Sequence, residues 1–173
     1  MSFIKNKQIV ADTWRHIDDA EPIPADGGVI VSLARWQIER EALRGHNAPL
    51  GVLLRSDDDA GAIAEDLVFF DVVALEFPQF KDGRPYSTAR LLRQRHGYTG
   101  ELRATGEVLY DQLLFMQRCG FDSFEYVGKL AAEEALSAFD EIDVVYQSAA
   151  DRQRSAAAIR NDTSSVLLNG THG

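Results

Sequence analysis

Short apolar, β-branched runs alternate along this chain with longer stretches whose apolar residues recur at helical spacing. Five runs bounded by turn residues predict strands at 29–33, 50–55, 72–77, 101–104 and 123–127. Helices are expected near 35–44, 59–66, 86–95 and 107–119, followed by one at 130–139 and a late strand at 142–146. Alternation of this kind predicts an α/β fold with a mostly parallel sheet of about five strands, built from right-handed βα units. A complete eight-unit barrel needs roughly 250 residues, so the expected architecture is an open sheet or a partial barrel.

Local punctuation supports these boundaries. Asp57 is expected to cap the second helix and Thr105 the fourth, while Gly97 and Gly120 sit where helices end in a left-handed residue. In the fourth helix Val108, Leu109, Phe115, Met116 and Cys119 share one face and read as core. Residues 1–26, with Trp14, His16, Pro22 and Pro24, are expected to form an extended arm or small hairpin ahead of the first unit. From Ser148 onward Ala, Ser, Arg, Asn, Thr and Gly dominate, too little apolar surface to offset the entropy of ordering. A single α/β domain at 1–147 and a disordered polar tail at 148–173 are therefore expected.

Parallel sheets bind ligands beyond the C-terminal ends of their strands. That rule singles out Ser32, Arg55, Ser56, Glu76, Phe77, Arg103, Thr105 and Glu125. Arg84, Ser87 and Thr88 follow a Gly-Arg-Pro turn just before a helix, where free backbone N–H groups and the helix dipole favour an anion. Arginine adds a bidentate fork for sulfate, phosphate or carboxylate. Arg84, Ser87, Thr88, Arg103, Thr105 and Glu76 thus form the candidate anion-binding set. The competing reading is structural: Ser87 caps the helix, Pro85 opens it, Arg84 pairs with Glu76 or Asp82, and Glu76 and Arg103 tie neighbouring strands together.

The block F-P-x-F-x-D-G-R-x-Y-S-x-A-R-x-L-R at Phe77 to Arg93 resembles an uncharacterised bacterial family known as domain of unknown function 934. So do L-R-A-T-G-x-V from Leu102, D-Q at Asp111 and Gln112, and R-C-G-F-D from Arg118. The resemblance implies a role in assimilatory sulfite reduction and brings no catalytic residues with it. A partner such as sulfite reductase, or another enzyme of sulfate assimilation, is what it implies.

Charge narrows the remaining options. A net charge of −9 argues against general nucleic-acid binding, which neutralises phosphates with clustered cations. Between Glu76 and Arg103, however, six basic residues face three acidic ones, a local basic patch on an acidic body. Arg90, Arg93 and Arg95 read as the solvated side of a helix. No apolar run is long enough to span a bilayer and the first residues lack a signal-peptide pattern, so a cytoplasmic protein without membrane contact is expected. A lone Cys119 forms no internal disulfide and cannot supply the four thiolates of an iron–sulfur cluster. No metal-ligand spacing, G-x-G-x-x-G, Walker loop or nucleophile elbow occurs, and no histidine carries a catalytic signature. No cofactor or metal is therefore expected. The leading expectation is a non-catalytic accessory protein of sulfite or sulfate reduction that binds an anionic small molecule or a partner enzyme. An enzyme on a truncated barrel-like scaffold, with Glu76 as acid or base, and a structural interaction module are the alternatives.

Overall fold

The structure, a computed structural model, describes residues 1–140. All five expected strands are present: β4 (Gly28–Ser32), β5 (Leu50–Leu54), β6 (Val72–Phe77), β7 (Glu101–Gly106) and β8 (Ser123–Tyr126). They pair in parallel and in sequence order. The expectation of about five strands needs correction, because the N-terminal arm adds three more. β3 (Trp14–His16) extends the parallel set beside β4, whereas β1 (Ser2–Lys5) runs antiparallel to β8 and carries β2 (Gln8–Ile9) on its outer edge. A two-residue turn joins β1 to β2, with Asn6 and Lys7 both left-handed at φ of 50° and 61°, the geometry that matches strand twist in a tight hairpin.

The eight strands form one curled open sheet, a half-barrel, in the order β2-β1-β8-β7-β6-β5-β4-β3. On the convex face Val29, Val31, Val52, Val73, Leu75 and Leu102 are buried with residues of the helices in one large apolar core. α1 (Leu33–Arg44) sends Trp36 and Leu43 into that core. Its Trp36 Nε1 also donates to the buried Asp66 carboxylate at 2.9 Å, which Arg40 and Arg44 hold from the same helix.

The expected second helix is replaced by two 3-10 turns, Ala60–Ile63 and Leu67–Phe69. Asp59, rather than Asp57, caps the first through Gly61 N–H at 2.9 Å. α2 (Arg84–Arg90) runs on into a π turn, Leu91–Arg95. That widening lets Arg93 donate to the carbonyls of Tyr98, Gly100 and Gly120 and to Asp122. α3 (Leu113–Cys119) starts six residues later than the 107 expected from the sequence. β7 runs to Gly106 and the chain bends at Glu107, after which the Val108 carbonyl accepts from Val127 N–H, so Thr105 lies in β7 and caps no helix. Phe115, expected in the core, is nearly half exposed. Gly97 and Gly120 take the left-handed φ expected at helix ends. The region expected as one helix at 130–139 comprises α4 (Ala132–Ala135) and a 3-10 turn, Leu136–Asp140. The expected strand at 142–146 and the polar tail from 148 lie outside the described residues.

The last residue of β7 is sterically dictated. Gly106 has φ of 87°, and a Cβ there would lie 2.3 Å from the Phe77 carbonyl oxygen of the neighbouring strand. Gly106→Ala combines left-handed strain with a backbone clash and should cost about 2–4 kcal/mol. Thermal and urea unfolding of the variant measure this; wild-type stability would contradict this strand-end geometry.

Candidate functional site

Parallel strands buried on both faces normally read as continuous apolar runs. β6 follows that rule, but β7 and β8 alternate: Glu101, Arg103 and Thr105 on one strand, Ser123 and Glu125 on the next, all turned to the concave face. There they meet side chains from the arm. Trp14 covers the β4 end of the hollow and lies so close to the sheet that a Cβ at Gly28 would come within 2.7 Å of its ring. A small apolar cluster of Ile30, Val72 and Ala74, packed by Trp14 and Leu53, continues that end.

At the other end sits Arg103, with no exposed surface. Its Nε and Nη2 donate to Glu101 Oε1 at 3.0 and 2.9 Å. Nη1 donates to Asp12 Oδ2 at 3.0 Å and Glu125 Oε1 at 3.3 Å. Phe3 of β1 stacks on the guanidinium at 4.3 Å. Lys5 Nζ completes Glu101 at 2.6 Å, and Ser123 Oγ donates to the same carboxylate at 2.7 Å. Glu125 is equally committed, accepting from Thr105 Oγ1 at 2.6 Å and His16 Nε2 at 2.7 Å. Because His16 belongs to β3 and Glu125 to β8, this last bond closes the curl across the hollow.

Burial alone would raise both glutamates. Lys5, Ser123 and Arg103 instead hold the Glu101 carboxyl below its usual range, and His16, Thr105 and Arg103 do the same for Glu125. Two permanent cations, Arg103 and Lys5, face the three carboxylates of Asp12, Glu101 and Glu125, so the carboxylates outnumber them. That balance does not attract an anion.

The sequence-derived set is thereby divided. Arg103 and Thr105 come together through Glu125. Glu76 stands opposite Thr105 in the β6–β7 register, half-buried and without an ion pair among the described residues. The anticipated Glu76–Arg103 pair is corrected: β7 runs on to Gly106, which leaves Arg103 in mid-strand among Asp12, Glu101 and Glu125. Arg84 lies on the exposed surface in a bidentate pair with Asp82 at 3.0 and 2.7 Å, and that guanidinium holds the Asp82 carboxyl well below its usual range. Ser87 is exposed and caps nothing, since α2 starts after Gly83, and Thr88 Oγ1 turns back to the Arg84 carbonyl at 3.3 Å. Asp12 and His16 were not anticipated. Their partners lie 91 and 109 residues away, and only the every-other-residue polarity of β7 and β8 signalled that something polar had to cover that face. Among the described residues no group of three or more His, Cys, Asp or Glu is placed to hold a metal ion, and no helix is long and apolar enough to cross a membrane.

What the fold and this cluster define is a βα half-barrel whose concave face is closed by its own N-terminal arm through a buried ion network. The chain belongs to the family described as Bacterial protein of unknown function (DUF934), whose pattern matches residues 51–157. That span includes β5 to β8 and leaves Asp12 and His16 outside it. No curated protein and no solved structure matches the chain.

Two predictions follow from the charge arrangement. Arg103→Met takes the shared cation from three carboxylates, two of them buried, and should cost about 3–5 kcal/mol, whereas Arg84→Met removes a surface pair and should cost under about 1 kcal/mol. Equal losses in urea unfolding would contradict a buried clamp at Arg103.

The pH dependence has a definite sign. Glu101, Glu125 and Asp66 all sit below their usual values in the fold. Their contribution is full above the unfolded carboxylate range, near about 4, and is lost as pH falls through the lower folded values. Asp122, raised by burial despite Arg93 and Leu102 N–H, acts in the opposite sense and offsets part of that loss. Stability should therefore decline steeply below about pH 4, and Glu125→Gln should flatten the decline. An unchanged profile in the variant would remove Glu125 from the account.

Proposed function

We propose that this protein is a non-catalytic accessory protein of assimilatory sulfite or sulfate reduction that docks a partner enzyme, such as sulfite reductase, on the face formed by α2 and α3. The pathway is supported by the family resemblance of the Phe77 to Arg93 block. The docking mode rests on one observation, an aromatic and arginine surface. Phe80 and Phe115 are 48% and 46% exposed. Tyr86 packs on Phe115 at 4.8 Å between ring centroids, and the Arg90 guanidinium lies 5.7 Å from the same ring with no carboxylate partner among the described residues. Exposed aromatics beside arginine have the composition of binding hot spots, and an unpaired Arg90 favours a partner offering an acidic residue beside apolar surface. A small anion is the less favoured ligand, because Arg103 and Arg84 already donate to carboxylates.

A second reading is kept for one reason. Glu125 holds His16 Nε2 while the imidazole remains partly exposed, the base-and-orienter arrangement of an acid–base enzyme.

Complementation separates the two. A deletion strain should grow poorly on sulfate or sulfite and normally on cysteine; equal growth on all three would refute the pathway. In that strain a folded Phe115→Asp variant should fail to restore growth while His16→Gln restores it. The reverse pattern would overturn docking in favour of acid–base chemistry.

A further inference from the structure

The α2–α3 face has an occupant available within the chain itself. α3 touches both α2 and the last described element, the turn Leu136–Asp140. Because α2 packs on β6 whereas Phe139 packs on Phe124 of β8 at 5.4 Å, that turn lies along the flank of α3 remote from α2. Tyr110 Oη and Ser137 Oγ, 3.2 Å apart, tie it to the start of α3. The chain beyond Asp140 therefore sets out beside α3. An extended chain covers about 3.3 Å per residue, and a helix with its side chains is about 10–12 Å across. Residues 141–146, spanning up to about 20 Å, are long enough to cross α3 and reach Phe115 and Arg90.

Their composition is the one this face calls for. Phe115 is nearly half exposed, and neither Arg90 nor Arg118, which lies one turn on from Phe115 along α3, has a carboxylate partner among the described residues. The segment offers Glu141 and Asp143 to the guanidinium groups, and Ile142, Val144, Val145 and Tyr146 to the rings. It also falls within the span matched by the family pattern, which continues to residue 157. A segment tethered beside its own binding face acts at an effective concentration of roughly millimolar, so even weak contacts of this kind keep it in place.

We infer that residues 141–146 cover the α2–α3 face of the free protein, with apolar side chains over Phe115 and Tyr86 and carboxylates on Arg90 and Arg118, so that a partner binds by displacing them. The contact itself needs only the free chain. Its regulatory consequence rests on the docking reading.

A spin label on Gln147→Cys in the full chain tests the contact, since the native Cys119 is buried. Amide signals of Tyr86, Arg90, Phe115 and Arg118 should lose most of their intensity in the labelled protein. Arg90 and Phe115 are exposed, so substitutions there leave the fold intact. Arg90→Glu and Phe115→Asp should each restore the signals, and adding Asp143→Arg to Arg90→Glu should bring the loss back. Signals unaffected by the label, or a loss undiminished in Arg90→Glu and Phe115→Asp, would overturn the inference. A loss seen only when labelled and unlabelled chains are mixed would also overturn it, by making a second copy the occupant. If these outcomes overturn the contact while Phe115→Asp still fails to restore growth, the docking reading survives alone; the expected signal loss with normal growth of Phe115→Asp would remove docking and keep the contact.

Discussion

A guanidinium with no access to water cannot be left unpaired, and the inner face of this half-barrel is organised around that constraint. Arg103 recruits carboxylates from its own strand, from the next strand and from the N-terminal arm. Each is in turn bonded to further groups, so the charge of one residue fixes the positions of Lys5, Asp12, His16, Thr105 and Ser123. Replacing such a network with apolar residues can preserve or raise stability, whereas breaking one partner is costly. The network's role is therefore better understood as specification, selecting one seating of the arm over others that would bury as much apolar surface.

That seating solves a problem of architecture. A closed barrel fills its interior with side chains from all its strands, but a half-barrel exposes its hollow. Here residues from the arm stand in for the missing strands. Trp14 covers the end of the hollow where the sheet carries glycine and alanine, and Phe3 and Asp12 cover Arg103. β1 also occupies the edge of β8 and β3 the edge of β4, so the arm pairs at both margins of the sheet core. With the hollow closed in this way, the surfaces left for binding are the outer helices and the ends of the strands.

Much of the framework was legible from local pattern, because β-branched runs, turn residues and left-handed glycines act over short distances. Strands 72–77 and 123–127 were placed within a residue of their observed limits. The failures have a common cause. Thr105 looked like a cap and Arg103 like a strand-end ligand because β7 was expected to stop at Ala104; Glu107 N–H donates to the Phe77 carbonyl and keeps the strand paired as far as Gly106. Asp12 and His16 carry no local signature, since their roles exist only once the arm crosses the hollow. Arg84 was assigned to a site by its position before a helix, yet the nearest available carboxylate, Asp82, takes it first.

Native-state hydrogen exchange tests the central claim, that the arm is an integral part of the half-barrel core. The amides of Asn6 and Ile17, bonded to the carbonyls of Asp122 and Ile30, report on the two places where the arm is attached. They should exchange only through global unfolding, with the same opening free energy as Ala104 in the centre of β7, and Asp12→Asn should lower both. Exchange at Asn6 and Ile17 through a separate, much cheaper opening, with Ala104 still protected, would show that the arm is a detachable strap and that Arg103 does not depend on it.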